Sequence, residues 1–291
     1  MTYHIGIDLG GTKIEIVILN SKLKVIYRDR IPTESEKGFE VVLKNIKEIY
    51  FKALKYIKKD EFTLGIGSPG SVNKDSGLIQ NSTIHHHNGK DIKKIFENEL
   101  NTNLILENDA NCFTLAEAIL GVAKNYKNVF GIILGTGCGG GIVFNKKLWV
   151  GQNFLAGEWG HSIIDINGNK CFCGNNGCIN TFISGTAIEN KLIKISGNKI
   201  SAKDFFQKSN YDDEERDILD EFYNVLEKSL NNLIKILDPE VFVLGGGLSN
   251  YDLIYKKIQK SSYISTPFLK NSLGDSAGVI GAALLGRDLV F

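Results

Sequence analysis

The sequence has no excess of charge of either sign. Its 34 lysines and arginines balance 33 aspartates and glutamates, which leaves a formal net charge of +1 over 291 residues. Nucleic-acid-binding proteins usually carry a basic stripe, so this balance argues against a nucleic-acid partner. The chain also lacks any apolar run near the roughly 18–20 residues that span a bilayer, which argues against a membrane protein.

A leader sequence and abundant cysteine are missing as well. The start, MTYHIGIDLGG, has no basic segment followed by an apolar core, so we expect no signal peptide and a cytoplasmic location. Only five cysteines are present, yet three of them fall within residues 171–178. A disulfide or a metal site explains this crowding, and the metal is favoured because cytoplasmic disulfides are rare.

The pattern of apolar residues and glycines predicts an α/β protein of two domains. Residues 3–20 and 129–144 each have the order of an apolar strand, a glycine-rich turn and a β-branched strand, as in a hairpin. A third strand is predicted over 23–31. Apolar residues at spacings of three and four predict helices over 39–57, 111–121 and 212–237, and another from 251. The repeated hairpin indicates two related halves.

The two glycine-rich turns, DLGGTK at 8–13 and LGTGCGGG at 134–141, are candidate phosphate sites because glycines let backbone N–H groups approach an anion. Residues 135–140 match G-x-G-x-x-G, but a strand follows where the dinucleotide fingerprint needs a helix. No P-loop motif is present. Two hairpin turns without a ligand remain the alternative. Asp8 would be costly to bury without a cation, and Mg²⁺ beside phosphates is the candidate.

Four residues, His161, Cys171, Cys173 and Cys178, form a candidate metal-ligand set with the spacing H-x9-C-x-C-x4-C. Three thiolates and one imidazole are a closed tetrahedral set for structural Zn²⁺. As four unrelated residues they leave the presence of a metal open.

The remaining cysteines and three adjacent histidines have simpler interpretations. Cys112 and Cys138 are expected to be small buried residues. His85–His87 cannot easily converge on one ion, so we interpret them as a surface loop.

Asp109, within ENDAN at 107–111, is the candidate proton acceptor. Its position before a predicted helix is also typical of an N-cap. The two roles are compatible, because a carboxylate at a helix N-terminus stays ionised, as a general base should. Glu107 is expected to serve the structure.

Six motifs, in order from Gly6 to about Leu285, resemble those of the ROK family of sugar kinases. They are DLGGTK, ENDANCFTLAEA, GTGCGGG, AGEWGH, CFCGNNGCINTFISG and ILDPEVFVLGGG. The resemblance implies an actin-like, ribonuclease-H-like fold of two lobes, with ATP and sugar in the cleft between them. The implied lobes are residues 1–108 plus 276–291, which form the smaller one, and 109–275, which form the larger one with a zinc-binding loop.

The resemblance also implies roles for single residues. Asp109 is the implied catalytic base for the primary hydroxyl of a sugar. Further sugar contacts are expected at Gly70, Asn81, Asn108, Glu158, His161 and Asn180. ATP is expected to bind at Asp8, Gly10, Gly11, Thr12, Lys13, Gly135, Thr136, Gly137, Gly245, Gly246 and Gly247, with Mg²⁺ near Asp8. The implied Zn²⁺ ligands are His161, Cys171, Cys173 and Cys178.

One position departs from the family pattern. Many sugar-kinase members have a glutamate two residues after the last cysteine, where it contacts the sugar, and this chain has Asn180. An asparagine donates and accepts hydrogen bonds but supplies no charged acceptor. Retained kinase activity is expected because the other site residues are present, and a catalytically impaired sugar-binding protein is the alternative. Without the family, Gly70 and Asn81 would be interpreted as turn residues.

The predicted function is ATP-dependent phosphorylation of a hexose at its 6-hydroxyl. The runs TFISG and GEWGH resemble fructokinase or mannokinase members. N-acetylglucosamine or N-acetylmannosamine kinase and glucokinase are the alternatives. ROK repressors share this body but carry an added N-terminal DNA-binding segment, and the first strand here begins at Tyr3, so we expect a kinase. The resemblance implies a homodimer.

Overall fold

A computed structural model describes residues 2–57, 61–73, 75–82 and 84–287. Within them the chain alternates strands and helices, which confirms the predicted α/β class. The strands are β1 (Tyr3–Leu9), β2 (Lys13–Leu19), β3 (Val25–Pro32), β4 (Phe62–Ser68), β5 (Ser71–Val72), β6 (Ile79–Gln80), β7 (Ile105–Asn108), β8 (Val129–Leu134), β9 (Cys138–Phe144), β10 (Lys147–Leu148), β11 (Val241–Gly245) and β12 (Phe268–Lys270). The helices are α1 (Phe39–Leu54), α2 (Ile92–Leu100), α3 (Asp109–Ile119), α4 (Asn180–Ile183), α5 (Gly185–Ser196), α6 (Ala202–Phe206), α7 (Asp213–Leu237), α8 (Asp252–Gln259) and α9 (Ala277–Leu284).

Two five-stranded sheets of the same design form the frame. Their strand orders are β3-β2-β1-β4-β7 and β10-β9-β8-β11-β12. In each sheet a glycine-turn hairpin, β1–β2 or β8–β9, is antiparallel, and two parallel strands follow on the side of its first strand. The predicted repetition of the hairpin is therefore confirmed. The small β5–β6 ribbon stands apart from both sheets.

Helices α3 and α9 pack between the two sheets. Valines of both sheets share one apolar cluster with the two helices. Glycines allow the close approach: a Cβ on Gly281 of α9 would lie 1.8 Å from the carbonyl oxygen of Cys112, and one on Gly6 of β1 would lie 2.2 Å from that of Val279. Because each sheet also has a core of its own, the frame consists of two layered halves joined through these helices.

The predicted two-lobe division at residues 108/109 and 275/276 remains a prediction, and residues 288–291 of the smaller lobe lie outside the described residues. The first sheet is built within residues 3–108, and α9 packs against its strands β1 and β4. Among the described residues, no helix combines the length and the apolar character that crossing a membrane requires.

The longest helix, α7, confirms the sequence prediction closely. Asp212 accepts a hydrogen bond from the backbone N–H of Glu215, whose side chain accepts from the N–H of Asp212, which is a capping box. The helix ends at Leu237, just before Asp238 in the left-handed conformation and Pro239. Both ends are thus specified locally.

The prediction of a surface loop at His85–His87 is wrong for His87. The three residues form a 3₁₀ turn in which His85 is exposed and His87 has an exposed fraction of 0%. The His87 ring packs 5.8 Å from that of Phe39, and neither of its nitrogens has a hydrogen-bond partner among the described residues. Burial, together with the charges of His86 and Lys90, lowers the pKa of His87 to about 4.

Candidate functional site

The turn between β1 and β2 is held by two residues that follow β3. The N–H of Gly10 donates to the carbonyl of Lys13 at 3.0 Å, which closes the turn. The buried Thr33 donates its hydroxyl to the Gly10 carbonyl at 2.6 Å and its N–H to the Thr12 carbonyl at 3.0 Å. Sequence analysis missed Thr33 and its neighbour Ser35, which binds the Gly11 carbonyl. Two hydroxyl residues, at the first and third positions after the proline of β3, were the available signal.

The turn between β8 and β9 is closed in a similar way. The N–H of Gly135 donates to the carbonyl of Gly137 at 3.0 Å. The first two residues of α5 donate their N–H groups to the carbonyls of Gly135 and Thr136, at 2.7 and 3.3 Å. The N–H of Cys138 donates to Oδ1 of Asn180 at 2.9 Å. This turn is therefore anchored by the segment 180–186.

Both turns present two successive backbone donors. Among the described residues, no hydrogen bond uses the N–H groups of Gly11 and Thr12 or those of Thr136 and Gly137. A Cβ built on Gly11 would meet nothing within 4 Å, so the first turn faces open space. Successive free N–H groups in a turn form a concavity suited to phosphate oxygens.

The structure places Asp109 at the first position of α3 and corrects its predicted role as N-cap. Asn108 is the cap, because its Oδ1 accepts the N–H of Ala110 at 2.8 Å. Asparagine and aspartate are about equally good caps, so the sequence did not distinguish the two neighbours. Asn108 also donates its amide to the carbonyl of Gly70 at 2.9 Å, which links α3 to the loop after β4.

Asp109 lies in a cluster of carboxylates. Burial raises the pKa of Asp109, whereas the sequence predicted that the helix terminus would keep it ionised. Burial and the charges of Asp109 and Glu15 raise the pKa of Asp8 to about 7. Burial and the charges of Asp109 and Glu107 raise the pKa of Glu158. The carboxylates at the end of β1 and in the loop before His161 are thus both within electrostatic reach of Asp109.

Arginines neutralise one member of this region but not Asp8. Glu15 of β2 has an exposed fraction of 0% and pairs with Nε of Arg28 at 2.6 Å and Nη2 of Arg30 at 2.5 Å. Lys13 and Arg30 lower the pKa of Asp8, but less than its burial raises it. A half-buried carboxylate that forms no ion pair with any described residue, beside free backbone N–H groups, has the donor chemistry that Mg²⁺ prefers.

Three other predicted residues lie around this cluster. Glu107 accepts the N–H of Asn108 at 2.7 Å and the side-chain amide of Asn111 at 2.9 Å, as expected for a structural residue. Gly70 has a φ of +96°, and a Cβ there would lie 2.8 Å from the carbonyl oxygen of Gln80. The exposed Asn81 therefore lies beside Gly70, which in turn contacts Asn108.

The four candidate metal ligands converge on one point. Their ligand atoms all lie within 4.8 Å of one another. Sγ of Cys171 is 3.5 Å from Nδ1 of His161, and Sγ of Cys173 is 3.6 Å from Sγ of Cys178. In a tetrahedral Zn²⁺ site with ordinary bond lengths, the ligand atoms lie about 3.6 Å apart for nitrogen and sulfur and about 3.8 Å apart for two sulfurs. The four residues therefore fit the metal.

The glycines of the loop make this convergence possible. Gly177 has a φ of +68°, and a Cβ there would lie 1.5 Å from the carbonyl oxygen of Asp165. Gly174, with a φ of +97°, turns the chain between Cys173 and the last ligand.

His161 connects the metal site with the carboxylate cluster. Its Nδ1 faces Cys171, and its Nε2 lies 4.0 Å from Oε2 of Glu158. Burial lowers the pKa of His161, which favours the neutral imidazole that a metal ligand must be. One ring therefore presents one nitrogen to the candidate metal site and the other to Glu158.

A cavity of about 500 Å³ adjoins the second turn. It is bounded by Thr136, Gly247, Lys203 and Tyr251, whose ring stacks on Phe206 at 5.3 Å. A larger cavity of about 690 Å³ lies against β8 and β9, among apolar side chains and the amides of two asparagines, remote from the carboxylates. We assign the smaller cavity to the site because it meets the free N–H groups.

Glycines are required where β11 ends beside this cavity. A Cβ on Gly245 would lie 2.4 Å from the ring of Phe113. Gly246 has a φ of +79°, and a Cβ there would lie 2.4 Å from the carbonyl oxygen of Leu134. The predicted glycines 245–247 therefore adjoin the predicted turn at 135–137.

Comparison with known families decides the classification. The profile described as the ROK family matches residues 4–288. The chain belongs to the ROK family. The N-acetyl-D-glucosamine kinase of Histophilus somni is 37% identical and covers 97% of this chain and 98% of its own length. That of Pasteurella multocida is 36% identical and covers 96% and 98%.

Solved ROK structures share the fold. The ROK hexokinase from Thermus thermophilus superposes with a TM-score of 0.85 at 28% identity and covers 98% of both chains. The ROK family glucokinase from Streptomyces griseus, in complex with glucose and AMPPNP, gives 0.78 at 26% identity and covers 98% of this chain and 99% of its own. These likenesses confirm the predicted actin-like fold.

Proposed function

We propose that this chain is an ATP-dependent kinase that phosphorylates an N-acetylated hexosamine, N-acetylglucosamine first of all, at its 6-hydroxyl. The observation that carries the chemistry is the position of Asp109 at the start of α3, where its charge raises the pKa values of Asp8 and Glu158. Free N–H groups of the two turns supply the matching phosphate sites.

The general activity, that of an ATP-dependent sugar kinase, is confirmed by the ROK family match and by relatives that are named as sugar kinases. The identity of the sugar is the specific part of the proposal. Sequence motifs favoured a fructokinase-like enzyme, with N-acetylglucosamine kinase as the alternative. The curated relatives support the alternative better, because N-acetylglucosamine kinases are similar along nearly the whole chain.

The proposed reaction needs one proton acceptor and one leaving group. Asp109 takes the proton of the 6-hydroxyl while that oxygen forms a bond to the γ-phosphorus of ATP. The bond between this phosphorus and the β–γ bridging oxygen breaks, and ADP leaves with that oxygen. Asn108, Glu158 and His161 hold neighbouring sugar hydroxyls, so that the reacting oxygen stays in line. Gly70, Asn81 and Asn180 are proposed as further sugar contacts.

The nucleotide is proposed to bind along both turns. The turns Gly10–Lys13 and Gly135–Gly137 lie along its phosphates, with the N–H groups of Gly11, Thr12, Thr136 and Gly137 as the donors, and Gly245–Gly247 lie by the adenosine in the 500 Å³ cavity. Asp8 would hold Mg²⁺, which supplies charge neutralisation of the transferring phosphate. His161, Cys171, Cys173 and Cys178 would hold Zn²⁺, which supplies rigidity to the loop. A cytoplasmic location and a homodimer remain predictions.

A coupled assay of ADP release tests the proposal across N-acetylglucosamine, N-acetylmannosamine, glucose, mannose and fructose. We expect kcat/KM for N-acetylglucosamine to exceed that for fructose by at least about tenfold, which corresponds to about 1.4 kcal/mol of transition-state binding. A preference for fructose or glucose would reject the sugar assignment. No turnover with any sugar would leave a catalytically impaired sugar-binding protein.

A further inference from the structure

Asn180 makes a contact that its expected role at the sugar does not explain. Its Oδ1 accepts the backbone N–H of Cys138 at 2.9 Å, across 42 positions of sequence. Cys138 follows directly on the turn Gly135–Gly137, and a Cβ on Gly137 would lie 3.6 Å from the same oxygen. The side chain therefore fixes the end of the turn that presents N–H groups to the cleft.

Asn180 is also the second residue after the metal ligand Cys178. Between them, Ile179 is buried and donates its N–H to the carbonyl of Ser162, next to His161. Sγ of Cys178 lies 3.4 Å from the carbonyl oxygen of His161. The backbone between Cys178 and Asn180 is therefore held in place by its contacts with His161 and Ser162.

The other flank of the metal loop contacts the same hairpin. The indole N–H of Trp159 donates to the carbonyl of Gly139 at 2.8 Å. A Cβ on Gly160 would lie 2.1 Å from the carbonyl oxygen of Cys138, so the chain before His161 packs directly on β9. Both ends of the metal loop are therefore attached to the turn and to the strand that follows it.

We propose that Asn180 is a positioning residue that couples the metal-binding loop to the nucleotide site, so that zinc occupancy controls affinity for ATP as well as for sugar. This inference rests on the proposed function of the turn Gly135–Gly137 as a phosphate site. Closing of the loop on zinc holds Asn180 in place, and Asn180 holds the Cys138 N–H so that the preceding donors of Thr136 and Gly137 face the cleft.

The substitution Asn180→Leu removes the acceptor, keeps the branched shape and the number of non-hydrogen atoms of the side chain, and leaves the Cys138 N–H unpaired. Losing a neutral hydrogen bond of this kind typically weakens the linked equilibrium by roughly three- to tenfold. We expect KM for ATP to rise by that factor, and KM for the sugar to change less. Asn190→Leu, the same change at an exposed position of α5, is the matched control and should leave both values unchanged. An increase confined to the sugar KM would overturn the proposal.

A thermodynamic cycle tests the coupling without relying on turnover. The dissociation constant of ADP is measured by calorimetry for wild type and Asn180→Leu, each zinc-loaded and each stripped with a chelator under reducing conditions, with zinc content checked by atomic absorption. We expect the substitution to weaken ADP roughly three- to tenfold with zinc and less than about twofold without it. Equal effects in both states would overturn the coupling.

The remaining outcomes are also covered by this design. If Asn180→Leu fails to fold, Asn180→Ala removes the same acceptor with less bulk and completes the cycle. If no form of the protein binds ADP, the proposed function fails together with the inference. If all forms bind ADP equally well, only the inference fails.

Discussion

The substitution Asp8→Asn tests whether the negative charge of Asp8, in the carboxylate cluster, lowers the free energy of unfolding. The pKa of Asp8 is about 7 in the folded chain, and its ordinary value is 3.8. Since the folded state binds this proton more tightly than the unfolded state, folding stability falls as pH rises from about 4 to about 7. The full difference corresponds to about 4 kcal/mol. Because Asp8 is only partly buried and water screens it, we expect the isosteric amide to regain about half, or about 2 kcal/mol, at pH 8.

The assay is urea unfolding of both proteins without ligands, at pH 5 and pH 8. We expect the stability gain of Asp8→Asn at pH 5 to be less than half of its gain at pH 8, because wild-type Asp8 is protonated in the folded state at pH 5. The exposed Asp275→Asn is the control and should change stability little at either pH. An Asp8→Asn protein that is less stable than wild type at pH 8, or equally stabilised at both pH values, would refute the reasoning.

Two further perturbations address the metal loop and the buried histidine. Cys173→Ser should lose zinc to a chelator concentration that leaves wild type loaded and should raise KM for the sugar, because it removes one of four ligands. Metal analysis checks this, Asn175→Ser in the same loop is the control, and full zinc content in the variant would reject the ligand set. The pKa of His87 is about 4 when folded and ordinarily 6.5, so this residue should lower the free energy of unfolding of wild type by about 2 kcal/mol between pH 7 and pH 5. His87→Leu should not show this loss. Urea unfolding measures this effect, His85→Leu is the exposed control, and an unchanged pH dependence would show that His87 does not carry it.

Features that depend on local sequence were predictable here. The hairpin β8–β9 follows from β-branched runs around glycines, and both ends of α7 follow from Asp212 and Pro239. The metal set could be located because its three cysteines lie within eight residues, so that one short loop fixes most of its geometry. Short-range patterns specify such features because few alternative arrangements satisfy them.

Contacts between remote segments were not predictable. The burial of His87 depends on packing against Phe39 of α1, and nothing in the run of three histidines indicates which one faces inward. The hydroxyl of Thr33 reaches Gly10 across 23 positions, and Asn180 reaches Cys138 across 42. The error over which residue caps α3 has a different cause. Asparagine and aspartate cap nearly equally well, and the choice of Asn108 over Asp109 follows from where β7 ends.

The most direct test of the central claim is the turnover of Asp109→Asn with ATP and N-acetylglucosamine. The amide keeps the shape of the side chain but accepts no proton, so we expect kcat to fall by about 10² to 10⁴ while the dissociation constants for sugar and ADP stay near those of wild type. Turnover at the wild-type rate in this variant would contradict Asp109 as the proton acceptor and, with it, the proposed mechanism.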